Sequence, residues 1–162
     1  MKKISPIGFI LILVCGFAIS AQTAQKTDSL AGFVSHSEIE DLIAKLRAEE
    51  LTGAQALFEK EGGPYRVYTS YINNRKGAAD QHGLDHEIFI LVSGSAEMTL
   101  GGDITDKKLK SENEYRGSII KGGTTRSVSA GDIISIPSNT AHQMNPGTGH
   151  VLYMVVKITG RK

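Results

Sequence analysis

The chain has 162 residues, enough for one domain with a hydrophobic core of ordinary size. Its 18 basic and 17 acidic side chains give a formal charge of +1 and form no basic stripe, which argues against a nucleic-acid partner. Eighteen glycines against four prolines, with no tryptophan, indicate many tight turns around an aliphatic core and favour an all-β domain over a helical bundle.

The N-terminal segment has the layout of a secretory signal peptide. Two lysines precede an apolar run over residues 7–19, and small residues follow at Ser20 and Ala21. The run is shorter than a membrane-spanning helix requires, which favours a cleaved signal peptide. A signal anchor that is retained is the alternative interpretation. We expect residues 1–21 to be removed and the mature protein to be periplasmic or secreted, without membrane association.

Removal of this segment has two chemical consequences. The two lysines leave with it, which turns the formal charge from +1 to −1. The single cysteine, Cys15, leaves as well, so the mature chain has neither disulfides nor thiolate ligands. Any metal ion would have to be held by histidine, aspartate or glutamate.

The next two segments are expected to precede the main domain. Residues 22–34 are polar without a sustained period and predict a flexible lead-in. Residues 35–61 are expected to form a helical region, in which Ser37 and Glu40 have the spacing of a capping box. One apolar stripe runs along the first helix and consists of Ile39, Leu42, Ile43 and Leu46.

A second short helical piece is expected from Thr52 or Gly53 to Lys60, ending at the sequence EGGP. We expect the helical region to cover one sheet of a β domain and to carry no catalytic residue.

From Tyr65 onward the pattern changes to short apolar runs, each bounded by turn-forming residues: YRVYTSYI, EIFILVSG, SAEMTLGG, DIISIPS and HVLYMVVKI. These runs predict a sandwich or small barrel. The long charged connection over residues 101–127 is expected to contain one weak strand, RGSIIKG.

Two histidine-containing segments stand in the β region. The first, DQHGLDHEIFILVSG, begins at Asp80 and ends at Gly94. Asp80 and His82 are two residues apart and therefore share a face of a strand. If Glu87 points inward, His86 points outward and is not a ligand. The second segment is GDIISIPSNTAHQMNPG, residues 131–147, which presents a histidine after a tight corner.

Together the two segments resemble the motifs of the cupin superfamily, G-x5-H-x-H-x3 or 4-E-x6-G and G-x5-P-x4-H-x3-N. The matching residues are His82, Glu87 and Gly94 in the first motif and Gly131, Pro137 and His142 in the second. The chain departs from the pattern at Asp80, which replaces the first histidine, and at Asn145, which comes one position early. The resemblance covers residues 65–160 and is closest to secreted single-domain cupins of the type-2 kind.

The resemblance implies an all-β jelly-roll β-barrel that holds one divalent metal ion through His82, Glu87 and His142, with Asp80 as a fourth ligand if it still binds. Two imidazoles and two carboxylates would give a neutral ligand set, which favours Mn²⁺ or Fe²⁺ and leaves Zn²⁺ and Ni²⁺ as candidates. Without Asp80, two histidines and one glutamate form a facial triad suited to iron-dependent oxygen chemistry. A barrel that binds no metal is the other alternative.

Inward positions of the barrel would line a substrate pocket. By alternation, these are Phe89, Leu91, Met144 and Tyr153, with Tyr65 or Tyr68 at the mouth. Glu114 and Arg116, on the long connection, are expected either to reach over the opening or to belong to a solvated loop.

Two functions remain open from the sequence. One is an exported metal-binding cupin that binds a small organic molecule or acts on it as a dioxygenase, isomerase or lyase. The other is a metal-free ligand-binding or dimerising module without catalysis. The resemblance also implies a homodimer, and an apolar outer face of the barrel would be supplied by Leu152, Met154, Val156 and Ile158.

Overall fold

The computed structural model describes residues 32–48, 52–60 and 63–160. The predicted signal peptide, residues 1–21, and most of the predicted lead-in lie outside these residues. The described part of the chain contains one helix of 13 residues and twelve strands. No helix in it is long and apolar enough to cross a membrane.

The elements follow one another along the chain as α1 (His36–Ala48), β1 (Gly53–Phe58), β2 (Tyr65–Asn73), β3 (Ala79–His82), β4 (Asp85–Leu100), β5 (Asp103–Ile104), β6 (Lys108–Ser111), β7 (Glu114–Gly117), β8 (Ile120–Lys121), β9 (Thr124–Ser129), β10 (Ile133–Ile136), β11 (His142–Asn145) and β12 (His150–Thr159). The expected all-β class with an N-terminal helix is confirmed.

Two antiparallel sheets form the barrel and share the long strand β4. The first half of β4 pairs with β12 and β10, and β12 pairs in turn with β2 and β2 with β1. The second half of β4 pairs with β9 and β11, and β11 continues through β3 and β7 to β6. The runs EIFILVSG and SAEMTLGG, expected as separate strands, are therefore the two halves of one strand.

β4 passes from one sheet to the other at Gly94. This glycine has φ +77°, and a Cβ atom there would lie 2.0 Å from the carbonyl oxygen of His150. Only glycine tolerates both the left-handed backbone and this close approach. The glycine of the first motif therefore marks the point where the strand bends to close the barrel.

The interior of the barrel is filled by the inward side chains of both sheets. The buried cluster consists of Ile72, Phe89, Leu91, Ala96, Met98, Ile136, Met144, Val151, Tyr153 and Val155. Seven of these ten residues belong to β4 and β12, where alternation turns every second side chain inward, and Ile72, Ile136 and Met144 come from β2, β10 and β11.

Helix α1 packs on the outer face of the first sheet, as expected. Its buried residue Ile43 contacts Tyr71 and Leu152, which are 2% and 0% exposed. Leu152 is therefore covered by the helix and does not belong to an open apolar face, whereas Ile158 is 40% exposed.

The capping box of α1 lies two residues earlier than the sequence indicated. The backbone N–H of Ser35 donates to Oε2 of Glu38 at 2.7 Å, and the backbone N–H of Glu38 donates to Oγ of Ser35 at 3.2 Å. The predicted pair of Ser37 and Glu40 has the same spacing, but the helix begins at His36.

Two further secondary-structure expectations are wrong. The predicted second helix is strand β1, which pairs with β2 from Gly53 opposite Tyr71 to Phe58 opposite Val67. Pairing with an open sheet edge overrides the helix propensity of its alanine, glutamine and leucine residues. The long connection over residues 101–127 contains not one strand but the four complete strands β5 to β8 and the first residues of β9.

Candidate metal centre

Three residues from the two sequence motifs meet inside the barrel. His82 ends β3, Glu87 lies near the start of β4 and His142 begins β11. One ligand atom from each of them lies within 4.8 Å of the others. Oε2 of Glu87 is 3.1 Å from Nε2 of His142 and 3.4 Å from Nε2 of His82. The predicted convergence of the two motifs is confirmed.

Local structure explains why these three side chains point inward. Glu87 is 2% exposed, whereas His86 faces outward, where its Nδ1 accepts a hydrogen bond from the backbone N–H of Ser138 at 3.2 Å. The corner before β11 uses Asn139 in the left-handed conformation, with φ 61°. Its backbone N–H donates to the carbonyl oxygen of His82 at 2.6 Å. This hydrogen bond fixes the corner against β3.

The tautomer of His142 follows from its neighbour. Nδ1 lies 3.0 Å from the carbonyl oxygen of Thr140. A carbonyl oxygen only accepts hydrogen bonds, so Nδ1 carries the proton. In the neutral imidazole, Nε2 then directs its lone pair towards the carboxylate of Glu87.

The carboxylate of Glu87 fits a metal ligand. Its Oε2 is buried and has no hydrogen-bond partner among the described residues, although a buried polar atom without such a partner is costly. Its Oε1 accepts a hydrogen bond from the hydroxyl of Tyr68 at 3.1 Å. Burial alone would raise the pKa of Glu87, but the imidazoles of His142 and His82 hold it below its ordinary value. A divalent cation between the carboxylate and the two imidazoles would satisfy all three groups.

When no cation is bound, a proton on His142 can supply the positive charge beside the carboxylate of Glu87. Burial disfavours the charged imidazole, but the carboxylate of Glu87 outweighs that cost and raises the pKa of His142 above its ordinary value. The ring is also packed edge-on against Phe89, with centroids 5.8 Å apart.

His82 is oriented by a carboxylate from the long connection. Its Nδ1 makes a short hydrogen bond with Oε2 of Glu114, the residue opposite His82 in the ladder between β3 and β7. A carboxylate that accepts the outer N–H of a histidine fixes the ring and makes its other nitrogen a better ligand.

Lys157 was missed by the sequence analysis. It is 5% exposed, and its Nζ lies 3.1 Å from Oε1 of Glu114 and 3.2 Å from Oδ2 of Asp85. The same nitrogen is 3.0 Å from Nδ1 of His82. Burial alone would raise the pKa values of Asp85 and Glu114, but hydrogen bonds and the ammonium group hold both below their ordinary values. Its inward direction could have been read from alternation with Tyr153 and Val155 on β12.

Asp80 lies beside the three residues but is paired with another partner. Nε of Arg116 donates to Oδ1 of Asp80 at 2.6 Å, and Nη2 of Arg116 donates to Oδ2 at 3.1 Å. The structure thus brings together His82, Glu87 and His142, and it engages the fourth predicted ligand in an ion pair.

A cavity of about 610 Å³ opens above the candidate metal centre. Its wall includes the three converging residues and Asp80, together with three of the predicted pocket residues, Phe89, Met144 and Tyr153. Leu91 does not line the cavity, because it is buried in the core further along β4. Tyr68, Glu114 and Arg116 are part of the wall, so the connection that carries the last two does reach the opening.

No protein-family model matches the chain, and no curated protein matches it in sequence. Among solved structures, it is similar to a predicted oxalate decarboxylase of Thermotoga maritima, with 14% identity, a TM-score of 0.49 and coverage of 65% of this chain and 78% of that one. It is similar to a cupin-2 domain from Rhodospirillum rubrum, with 14% identity, a TM-score of 0.48 and coverage of 67% and 60%. A protein with a double-stranded beta-helix domain from Klebsiella pneumoniae has 18% identity, a TM-score of 0.48 and coverage of 68% and 78%.

Proposed function

We propose that this protein is a metal-binding cupin that holds one divalent ion with His82, Glu87 and His142 and binds or transforms a small organic molecule in the cavity above it. One observation carries the proposal. Oε2 of Glu87 is buried without a hydrogen-bond partner among the described residues and lies between the Nε2 atoms of both histidines.

The surrounding residues support this role. Tyr68 and Glu114 hold Glu87 and His82 in place through hydrogen bonds to atoms that face away from the candidate ion position. Apolar side chains from three strands, Phe89, Met144 and Tyr153, shield that position from bulk water. The first of these packs against the ring of His142 and limits its rotation.

The three ligand side chains determine which ions suit the site and what chemistry a bound ion would supply. Two imidazoles and one carboxylate suit Mn²⁺, Fe²⁺, Zn²⁺ and Ni²⁺. When bound, such an ion supplies Lewis acidity that polarises an oxygen atom of a ligand or activates a water molecule. Three protein ligands are fewer than the roughly four to six that these ions take, which leaves room for a small molecule.

The proposal also includes three predictions from the sequence: export through residues 1–21, a periplasmic or secreted location, and a homodimer.

The test is the metal content of the purified protein by elemental analysis, beside two histidine variants. We expect close to one equivalent of metal in the wild type and in His86→Ala, because His86 faces outward. We expect loss of the metal in His142→Ala. An equal metal content in both variants would contradict this site. No metal in the wild type, even after incubation with each of the four ions, would favour the alternative of a metal-free ligand-binding module.

A further inference from the structure

Strand β7 places a partner opposite each of the two first-motif positions on β3. In the antiparallel register, Asp80 is opposite Arg116 and His82 is opposite Glu114. Directly opposed residues project to the same face of a sheet. All four side chains therefore lie on the cavity side, and all four contribute to the cavity wall.

The two cross-strand pairs act differently on the candidate metal centre. Glu114 binds the outer nitrogen of His82 and leaves Nε2 facing Glu87. Arg116 instead binds both carboxylate oxygens of Asp80, at 2.6 Å and 3.1 Å. This two-point contact is the strongest arrangement that a guanidinium offers a carboxylate, and it fixes the direction of the carboxylate as well as its charge.

An ion and Arg116 would compete for the same carboxylate. The Asp80 side chain is 21% exposed and that of Arg116 is 53% exposed, so the carboxylate is partly shielded from solvent while the guanidinium is open to it. To join the ion, Asp80 would have to give up both hydrogen bonds and leave the guanidinium without its partner. Within the part of the chain that the structure describes, the one group of potential ligand atoms that lie within 4.8 Å of one another comes from His82, Glu87 and His142.

We infer that Arg116 keeps Asp80 out of the ligand set, so that the protein holds its ion with three ligands and retains the Asp80–Arg116 pair in the cavity wall. This inference rests on the proposed function. It assigns Arg116 as a positioning residue that determines how many protein groups bind the ion.

The test uses Co²⁺ added to the metal-free protein, with dissociation constants from titration and ligand number from the visible absorption spectrum. The proteins are the wild type, Asp80→Asn, Arg116→Met and the double variant. Because each single substitution also changes the charge near the ion, the spectrum decides the outcome, and the double variant restores the balance of charge.

We expect the same spectrum from the wild type, Asp80→Asn and the double variant. We expect a different spectrum from Arg116→Met, with binding about tenfold tighter, the scale on which groups around ligands change metal affinity. Arg126→Met on β9, an exposed arginine, is the matched control and should behave as the wild type. Thermal unfolding of each variant shows that it is folded, and Arg116→Gln replaces Arg116→Met if the latter is not.

The outcomes separate the two proposals. A changed spectrum in Asp80→Asn would show that Asp80 is a ligand in the wild type, and an unchanged spectrum in the Arg116 variants would show that Arg116 does not restrain it. Either result overturns this inference and leaves the proposed function intact. Failure of the wild type to bind Co²⁺, Mn²⁺, Fe²⁺, Zn²⁺ or Ni²⁺ overturns the proposed function and this inference with it.

Discussion

Lys157 lies opposite Glu87 in the ladder between β12 and β4, with its Nζ 3.9 Å from Oε1 of that carboxylate. The same ammonium group is closer still to Glu114 and Asp85, at 3.1 Å and 3.2 Å. One buried cation thus interacts with three carboxylates, of which one is a candidate metal ligand and another orients His82. Asp85 also forms an ion pair with Arg66 at 2.9 Å, whereas Lys157 is the cation that the three carboxylates share.

Replacing Lys157 with methionine is expected to lower the free energy of unfolding by about 3 kcal/mol, because Asp85 and Glu114 lose the buried ammonium group between them, although Asp85 keeps its ion pair with Arg66. Urea denaturation of the metal-free protein measures the loss. Lys110→Met, at an exposed position on β6, is the control and should cost less than about 0.5 kcal/mol. Equal losses in the two variants would show that the buried ion cluster contributes nothing.

Replacing Glu114 with glutamine is expected to weaken metal binding about tenfold or more, because the carboxylate that fixes His82 is lost. Competition with a chelator of known affinity measures the change. Glu97→Gln, an exposed position on β4, removes the same charge at a distance from the site and should leave the affinity unchanged. A loss of equal size in both variants would assign the effect to overall charge.

The metal-free protein is expected to lose stability as pH rises above the ordinary His142 pKa of 6.5. The folded-state pKa of His142 is raised, so its contribution is fully present below the unfolded value and is lost as pH rises through the folded one. The groups around the imidazole are the carboxylates of Glu87 and Asp80, the carbonyl oxygen of Thr140 and the rings of His82 and Phe89. Thermal unfolding in the presence of a chelator, across this range, measures the effect.

Two comparisons identify the group responsible. His142→Gln should flatten the dependence of stability on pH above pH 6.5. An unchanged slope of stability against pH would assign that dependence to another residue. Added metal should reverse the trend, because protons compete with the ion for the imidazoles, so that stabilisation by metal grows as pH rises. The depressed pKa of Glu87 acts in a separate range, where stability is lost as pH falls below 4.5.

Gly94 and Gly131 are both motif glycines with positive φ, yet they are expected to differ in their tolerance of alanine. At Gly131, with φ +94°, no atom lies within 4 Å of a built Cβ, so Gly131→Ala should cost about 1 kcal/mol of backbone strain. At Gly94 the added Cβ would also meet the carbonyl oxygen of His150 at 2.0 Å. Gly94→Ala should therefore cost several times more in chemical denaturation. Equal costs would show that the backbone at Gly94 relaxes freely.

The sequence predicted those parts of the site that depend on strand alternation. The inward direction of Glu87 and the outward direction of His86 follow from a period of two along β4, and the PSNTAH corner correctly placed His142 at the start of a strand. Strands were harder to predict in segments whose residue types favour a helix but whose backbone pairs with a neighbouring strand. The residue types of β1 predict a helix, and its antiparallel pairing with β2 makes it a strand instead.

The polar partners of the site were not predictable from the motifs, because they depend on cross-strand register. Glu114 and Arg116 reach His82 and Asp80 only because β7 pairs with β3 in one particular alignment. Lys157 reaches the same cluster because β12 lies beside β4. One-residue shifts in these pairings would turn the side chains to the opposite face.

The membership of β4 in both sheets also bears on when the protein could acquire the proposed ion. His82, Glu87 and His142 lie on the three strands β3, β4 and β11, and β11 pairs with both of the others although it is distant from them in the sequence. Such long-range pairings form slowly during folding, since much of the chain must be ordered before they do. The donor set is therefore complete only when the barrel has closed. Uptake of the proposed ion would then follow folding rather than nucleate it, and the ion would stabilise only chains that have already reached the native state.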